Sequence, residues 1–125
     1  MNSVTINGNI MILDVLEIFN ERKKGIPDEL IITNISNVLK QISILFINVG
    51  QSLTISKIEK NLTFVKKIAT MFYNFDGLNI EACKLLNTPS SFTTIFNIII
   101  KPLLTKDALK IIDFCPNVVT KQSII

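Results

Sequence analysis

The strongest hydrophobic pattern in the chain lies in residues 55–75. Its apolar side chains recur every three or four positions, which places them on one side of an α-helix. Ser56 and Glu59 have the spacing of a capping box at its start, and Gly77 can end it in a left-handed turn. The stripe consists of Ile55, Ile58, Leu62, Val65, Ile68, Ala69 and Phe72, and it is widened by Phe64, Met71 and Phe75. The pattern predicts a long central helix with neighbours on more than one side.

Two helices are predicted before the central one. The first covers residues 10–24 and is stopped by Gly25, and the second runs from Pro27 to about residue 48. Proline suits a first helical turn because its missing N–H would have no partner there. Residues 42–49 are rich in β-branched side chains and would alternatively form a strand. The helical stripe passes through them without a change of phase, and therefore the helix is favoured.

Three further helices are predicted after it, at residues 80–86, 89–101 and 106–114. The helix at 89–101 follows Thr88 and is apolar nearly all round, which is typical of a helix buried on most sides. Thr105 is predicted to cap the last helix, and Pro116 follows its end. Every glycine and proline falls at or next to a predicted boundary, and this agreement supports the helical interpretation.

Length and composition favour one domain with a sizeable core. The chain has 125 residues, of which 48% are hydrophobic and 18% are charged. A surface with so few charges leaves apolar patches that seek a partner. We therefore predict a single all-α domain of about six helices over residues 1–125. Residues 1–8 and 117–125 are predicted as frayed ends, with a strand as the alternative for residues 4–6 and a last helical turn for the tail.

Two segments of the chain resemble each other at an offset of 40 residues: 65–75 (VKKIATMFYNF) and 105–115 (TKDALKIIDFC). A helical unit of about 40 residues is the armadillo/HEAT period. Residues 65–100 resemble an armadillo repeat, with Asn74 near the terminal asparagine of one of its helices. The resemblance implies a right-handed stack of helices that presents a groove to a peptide or protein. An irregular helical bundle is the alternative architecture.

The chain also resembles the poxviral Bcl-2-like proteins, which are small, apolar and rich in Ile and Asn. Residues 92–101 would then be the central buried helix. This resemblance implies a groove that binds an amphipathic helix of a host protein.

The charge pattern points to a protein partner rather than a nucleic acid. The net charge is +3, and the basic residues are scattered except at 22–24 and 66–67. A nucleic-acid-binding protein usually concentrates them on one face. The predicted contact residues for an acidic partner, or for an anionic lipid surface, lie along the central helix and at its end; they are Lys57, Lys60, Lys67 and Tyr73. An ordinary solvated face is the alternative for the lysines.

No apolar run approaches the roughly 20 residues of a membrane span. The sequence therefore predicts no membrane span, and weak contact with a membrane surface is retained as an alternative.

Catalytic chemistry is poorly supported by the residue types present. The chain has no histidine, so Ser-His-Asp and Cys-His catalysis and Cys/His zinc sites are excluded. Its isolated glycines form no phosphate-binding loop. Asp14, Glu17 and Glu21 are predicted on one helix face, where they would serve in general acid–base catalysis or bind a cation. The alternative is that they are the solvent-exposed face of the first helix. Cys83 and Cys115 are predicted as free thiols, which favours an intracellular, cytoplasmic location.

These observations predict a non-catalytic protein–protein interaction module of the helical-repeat type, with no cofactor, metal or catalytic residue. It would bind a partner protein or self-associate through apolar helix faces. A Bcl-2-like regulator is the alternative function.

Overall fold

The computed structural model describes residues 3–116, apart from the side chain of Asp76. Within these residues the chain forms a five-stranded mixed β-sheet with helices packed against it. The fold is therefore α/β, and the all-α prediction is wrong. The resemblances to armadillo/HEAT repeats and to Bcl-2-like proteins are wrong with it, because both imply a fold made of helices alone.

The strands follow one another across the sheet in chain order. They are β1 (Val4–Asn7), β2 (Ile10–Asp14), β3 (Ile44–Asn48), β4 (Ala82–Leu86) and β5 (Ile112–Cys115). The first strand is antiparallel to β2, with which it forms a hairpin, and β2 to β5 are parallel. Each parallel connection carries helices, as such crossovers require. Leu45 lies beside Met11 on one side and Cys83 on the other, which places β3 at the centre of the sheet.

The helices form the connections between the parallel strands. The α-helices are α1 (Val15–Lys23), α2 (Asp28–Leu39), α3 (Ile55–Lys60), α4 (Leu62–Met71), α5 (Phe92–Ile95) and α6 (Lys106–Lys110). Short 3₁₀ turns occupy Phe75–Leu78 and Lys101–Leu103, and a π-helix occupies Phe96–Ile100. None of the helices between residues 3 and 116 has the length and apolarity that a membrane span needs.

The two faces of the sheet have different surroundings. Successive strand side chains point to opposite faces, and Met11, Leu45 and Cys83 belong to the main core together with residues of the helices. Ile12, Phe46 and Leu86 form a smaller buried cluster on the other face. The described members of that cluster, including the half-buried residues packed on it, all come from strands. In the described chain the helices therefore pack on one face of the sheet.

The first two predicted helices are each partly strand. Residues 10–14, predicted as the start of a helix, form β2, and α1 begins only at Val15. Residues 44–48, predicted inside the second helix, form β3, so the strand alternative there is confirmed. Gly25 does follow α1 with φ 96°, and Pro27 does precede α2 as its N-cap. The helix-stop signal at Gly25 and the helix-start signal at Pro27 were therefore correct, but both helices are shorter than predicted.

The predicted central helix is two helices. It breaks at Asn61, whose φ of −116° and ψ of 18° lie outside the helical region. Thr54, not Ser56, caps α3 by accepting a hydrogen bond from Lys57 N at 3.2 Å. The 40-residue echo is also wrong, because it aligns the end of α4 and the turn after it with α6 and strand β5.

The last third of the chain contains two further strands where helices were predicted. Residues 82–86 form β4 and residues 112–115 form β5. The predicted buried helix at 89–101 is instead a sequence of short α, π and 3₁₀ segments. Thr105 caps α6 as predicted, by accepting a hydrogen bond from Ala108 N at 3.0 Å. The strand alternative at residues 4–6 is confirmed, and the predicted tail at 117–125 lies outside the described residues.

Candidate functional site

A basic cleft of about 780 Å³ opens between α1 and α3. Arg22 and Lys23 of α1 and Lys57 and Lys60 of α3 contribute its positive charges. Among the described residues that line it, Glu17 is the only carboxylate. Leu16 and Phe19 supply apolar surface, and both also pack against the main core. The cleft is therefore amphipathic, with an apolar base and a predominantly cationic rim.

Local sequence signals put the cleft residues in position. Asp14 caps α1 by accepting a hydrogen bond from Glu17 N at 3.1 Å, which fixes where this helix leaves β2. Asn61 stands between α3 and α4 and joins both walls of the cleft. Its Nδ2 donates to the carbonyl of Lys57 at 2.7 Å, and its Oδ1 accepts from Nη1 of Arg22. Asn61, where the predicted central helix breaks, is thus also the residue that links α3 to α1 by hydrogen bonds.

Arg22 is the most constrained cation of the cleft. Its Nε and Nη2 donate to the two carboxylate oxygens of Asp28 at 2.8 and 3.2 Å. Its guanidinium carbon lies 4.6 Å from the ring centroid of Phe64, within the range of a cation–π contact. Arg22 therefore has its charge balanced within the fold and acts chiefly as a structural support for the cleft.

The hydrogen bond from Arg22 holds the pKa of Asp28 below its ordinary value of 3.8. Desolvation opposes this shift, while the positive charges of Arg22 and Lys67 add to it. A carboxyl whose pKa is lower in the folded state stabilises the fold above the unfolded pKa, and this contribution is lost as the pH falls through the folded pKa. The Arg22–Asp28 pair should therefore stabilise the protein at neutral pH and stop doing so in acid.

Replacing Asp28 with Asn should lower the free energy of unfolding at pH 7 by about 0.5–1 kcal/mol, since the pair is partly exposed. The difference from the natural protein should shrink as the pH falls below 3.8. Urea unfolding between pH 7 and pH 3 measures it. Asp107→Asn is the matched control, because the Asp107–Lys110 pair is largely exposed and 3.6 Å long. Equal losses in the two variants, or a loss independent of pH, would contradict this account of Asp28.

Lys23, Lys57 and Lys60 differ from Arg22 because they have no carboxylate partner among the described side chains. Lys57 Nζ donates to the carbonyl of Ser52 at 3.2 Å, a contact that leaves its charge unbalanced. Lys57 and Lys60 are three residues apart on α3 and so share a helix face. Among the described residues, the rim of the cleft therefore presents lysine charges that no ion pair balances.

The structure brings together two of the four predicted contact residues. Lys57 and Lys60 line the cleft. Lys67 lies on α4 outside the lining, where its charge acts on Asp28. Tyr73 follows α4, is 55% exposed and offers its backbone carbonyl to Thr105 N at 3.0 Å. Lys23 was missed because basic residues in the last turn of a helix are ordinarily explained by the helix dipole.

The three acidic residues predicted on one helix face have separate roles. Asp14 precedes the helix, caps it and accepts a hydrogen bond from Asn48 Nδ2 at 3.4 Å. Glu21 is buried and accepts a hydrogen bond from Ser3 Oγ at 2.6 Å. Glu17 alone lines the cleft. Within residues 3–116, no three acidic or cysteine side chains are grouped so as to hold a metal ion.

Both cysteines are free thiols. Burial raises the pKa of Cys83 to about 12, and the charge of Asp113 contributes in the same direction. Since the thiolate is the nucleophilic form of cysteine, a buried thiol with this pKa is a poor nucleophile near neutral pH. Its place is in the core beneath the helices, away from the basic cleft.

Comparisons of the chain with protein-family models, with curated proteins and with solved structures gave no match.

Proposed function

We propose that this protein is a non-catalytic protein-binding domain, and that its basic cleft binds an acidic segment of a partner protein. The observation that carries the proposal is the set of three lysines, Lys23, Lys57 and Lys60, that line one cleft without a carboxylate partner in the described chain. Complementary charge across an interface speeds association and selects the partner. The proposal retains the interaction role expected from the sequence but places it on an α/β fold.

The shape of the cleft favours a peptide segment over a small anion. Its volume of about 780 Å³ exceeds what one carboxylate fills, and Leu16 and Phe19 offer apolar contact between the charged walls. Lys57 and Lys60 have Cβ atoms about 5–6 Å apart, as residues one helical turn apart do. Carboxylates at alternate positions of an extended chain are about 7 Å apart, which the long lysine side chains can span. An extended segment that alternates acidic and apolar residues fits both features.

The non-catalytic part of the proposal has separate support. The chain contains no histidine, and Glu17 is the only carboxylate among the described residues of the cleft. General acid–base catalysis needs a group that exchanges protons near the working pH. The high pKa of the Cys83 thiol, at about 12, also argues against Cys83 as a nucleophile.

Self-association through apolar faces has weaker support than the cleft. The exposed large apolar side chains in the described chain lie on five different elements and in the bend after α4; they are Ile6, Leu30, Ile55, Tyr73, Ile98 and Phe114. Interfaces between copies of one chain are usually contiguous and more apolar at their centre. We therefore assign the partner to another protein with an acidic segment.

Reversing two charges of the cleft tests the proposal. The probe is a fluorescein-labelled ten-residue peptide of alternating Glu and Leu, and the readout is fluorescence anisotropy. We expect binding that weakens as salt is added. Lys57→Glu combined with Lys60→Glu should weaken it at least tenfold, or about 1.4 kcal/mol, because two attractions become repulsions.

Lys66→Glu combined with Lys106→Glu is the matched control. Both lysines are exposed, lie outside the cleft lining and change the net charge by the same amount. This variant should bind the peptide within about threefold of the natural protein, the effect of long-range charge alone. Equal weakening by the two double variants would contradict the assignment of the cleft. Binding to phosphatidylserine vesicles through Lys57 and Lys60, without binding to the peptide, would replace the protein partner by a lipid surface.

A further inference from the structure

A second space in the molecule lies between the sheet and the helices that cover it, and it is partly open to the surface. It is a cavity of about 110 Å³. Its walls come from the sheet, from α1, α3, α4 and α5, and from the π-helix; they include Leu85, Cys83, Ala69, Phe72, Phe96 and Ile100. Among its described lining side chains, the Cys83 thiol carries the only atom other than carbon. Phe19 of α1 borders both this space and the basic cleft, so the two are neighbours, but the cavity differs from the cleft in its almost wholly apolar lining.

The lining of this cavity does not favour a bound water molecule. A buried water typically needs two to four polar partners, and this lining offers only a weakly polar thiol. Close-packed cores contain few voids larger than a water molecule, because atoms at a void lose their dispersion contacts. An apolar cavity of roughly 150 Å³ lined by Leu, Ile and Phe stays dry and takes up benzene or xenon. The cavity described here is of comparable size and similar lining.

The backbone is irregular where it borders the cavity. Phe96 and Ile100, which both line it, are the first and last residues of the π-helix. π-helical turns are rare in proteins, and those that do occur are often found at functional sites. Pro102 follows in a 3₁₀ turn, and proline has no N–H to continue a helical hydrogen-bond pattern. Three types of helical turn thus succeed one another along this wall, which makes it the least regular part of the cavity boundary.

We propose that this cavity is a binding site for one small, uncharged apolar molecule of the hydrocarbon class, and that the π-helical wall gives access to it. The lining excludes ligands with a charged or strongly hydrogen-bonding group, since that group would be buried without a partner. The volume of about 110 Å³ excludes long-chain lipids, which need a larger pocket. This inference does not depend on the basic cleft and survives if the cleft has another role.

Xenon is the probe that tests the site in the intact protein. Xenon should produce a saturable change in the ¹²⁹Xe NMR signal, and the largest methyl shifts should fall on Ala69, Leu85 and Ile100. Benzene should raise the midpoint of thermal unfolding, because a ligand that binds only the folded state stabilises it. A non-saturable xenon signal, with methyl shifts spread over the surface, would overturn the proposal.

Filling the cavity supplies the decisive comparison. Ala69→Leu should weaken xenon binding at least tenfold, because it places three more carbon atoms among the lining residues. Ala82→Leu adds the same atoms on β4 outside the lining and should leave xenon binding unchanged. If Ala69→Leu does not fold, Ile100→Phe fills the same cavity from the π-helical wall and takes its place. Equal xenon affinity in the natural protein and in the filled variant would place the site elsewhere and overturn the proposal.

Discussion

Replacing Leu45 with Ala should lower the free energy of unfolding by about 3 kcal/mol. Leu45 is completely buried in β3, the central strand, between Met11 of β2 and Cys83 of β4. The substitution removes apolar surface from the core and leaves a space that the surrounding sheet cannot fill, and both terms destabilise the fold. Urea unfolding followed by circular dichroism measures the loss as a lower midpoint with an unchanged slope.

Ile44→Ala is the control for this prediction. Ile44 precedes Leu45 in the same strand but packs with the small cluster on the opposite face and is only half-buried. Its truncation should cost about 1.5 kcal/mol, since less apolar surface is lost from the interior. Losses of equal size at the two positions would contradict the two-sided environment of β3, and a larger loss at Ile44 would reverse the assignment of its faces.

The strand at Leu45 also shows why the sequence alone led to a helical fold. β3 has the sequence ILFIN, a short and nearly continuous apolar run. Parallel strands buried on both faces read this way rather than as an alternating pattern, and a run of this length fits a buried helix equally well. This run is a strand because it pairs with β2 and β4. The partners of Leu45 are Met11, 34 positions before it, and Cys83, 38 positions after it. Pairing over such distances leaves no local pattern.

Several signals that act within a few residues were predicted correctly, although the Ser56–Glu59 capping box and the left-handed turn at Gly77 were wrong, since Thr54 caps α3 and Gly77 has no positive φ. Gly25 takes φ 96° after α1, Pro27 precedes α2, and Thr105 caps α6. Each of these depends on backbone conformation or on a hydrogen bond within one turn. The positions of several element ends could therefore be predicted, whereas the choice between helix and strand in the apolar runs between them required non-local contacts.

The candidate site likewise has one part that local spacing predicts and one part that depends on tertiary contacts. Lys57 and Lys60 share a face because of helical spacing alone, and the sequence was sufficient to pair them. Their position opposite Lys23 depends on the packing of α1 beside α3, which Asn61 secures through Arg22. No periodicity in the chain encodes that contact. Tyr73 was included because it lies at the end of the predicted central helix, but α4 ends at Met71, and neither α4 nor Tyr73 belongs to the cleft lining.

Replacing Gly50 with Ala should lower the free energy of unfolding by about 2.5 kcal/mol. Gly50 follows β3 with φ 90°, a conformation that costs a residue with a side chain about 1.5 kcal/mol. An added Cβ would lie 2.7 Å from Cδ1 of Leu16, which must move from its place on the core and the cleft. That displacement accounts for the remaining cost of about 1 kcal/mol. Thermal and urea unfolding both measure the loss.

Two other glycines separate the two causes. Gly25 has φ 96° but no atom within 4 Å of an added Cβ, so Gly25→Ala should cost about 1.5 kcal/mol, the conformational part alone. Gly77 has neither a positive φ nor a close neighbour, so Gly77→Ala should change stability by less than about 0.5 kcal/mol. In a Leu16→Ala background, Gly50→Ala should cost only about 1.5 kcal/mol, because the displaced methyl group is gone. An undiminished loss there would show that the contact with Leu16 contributes nothing and that backbone conformation explains the whole effect.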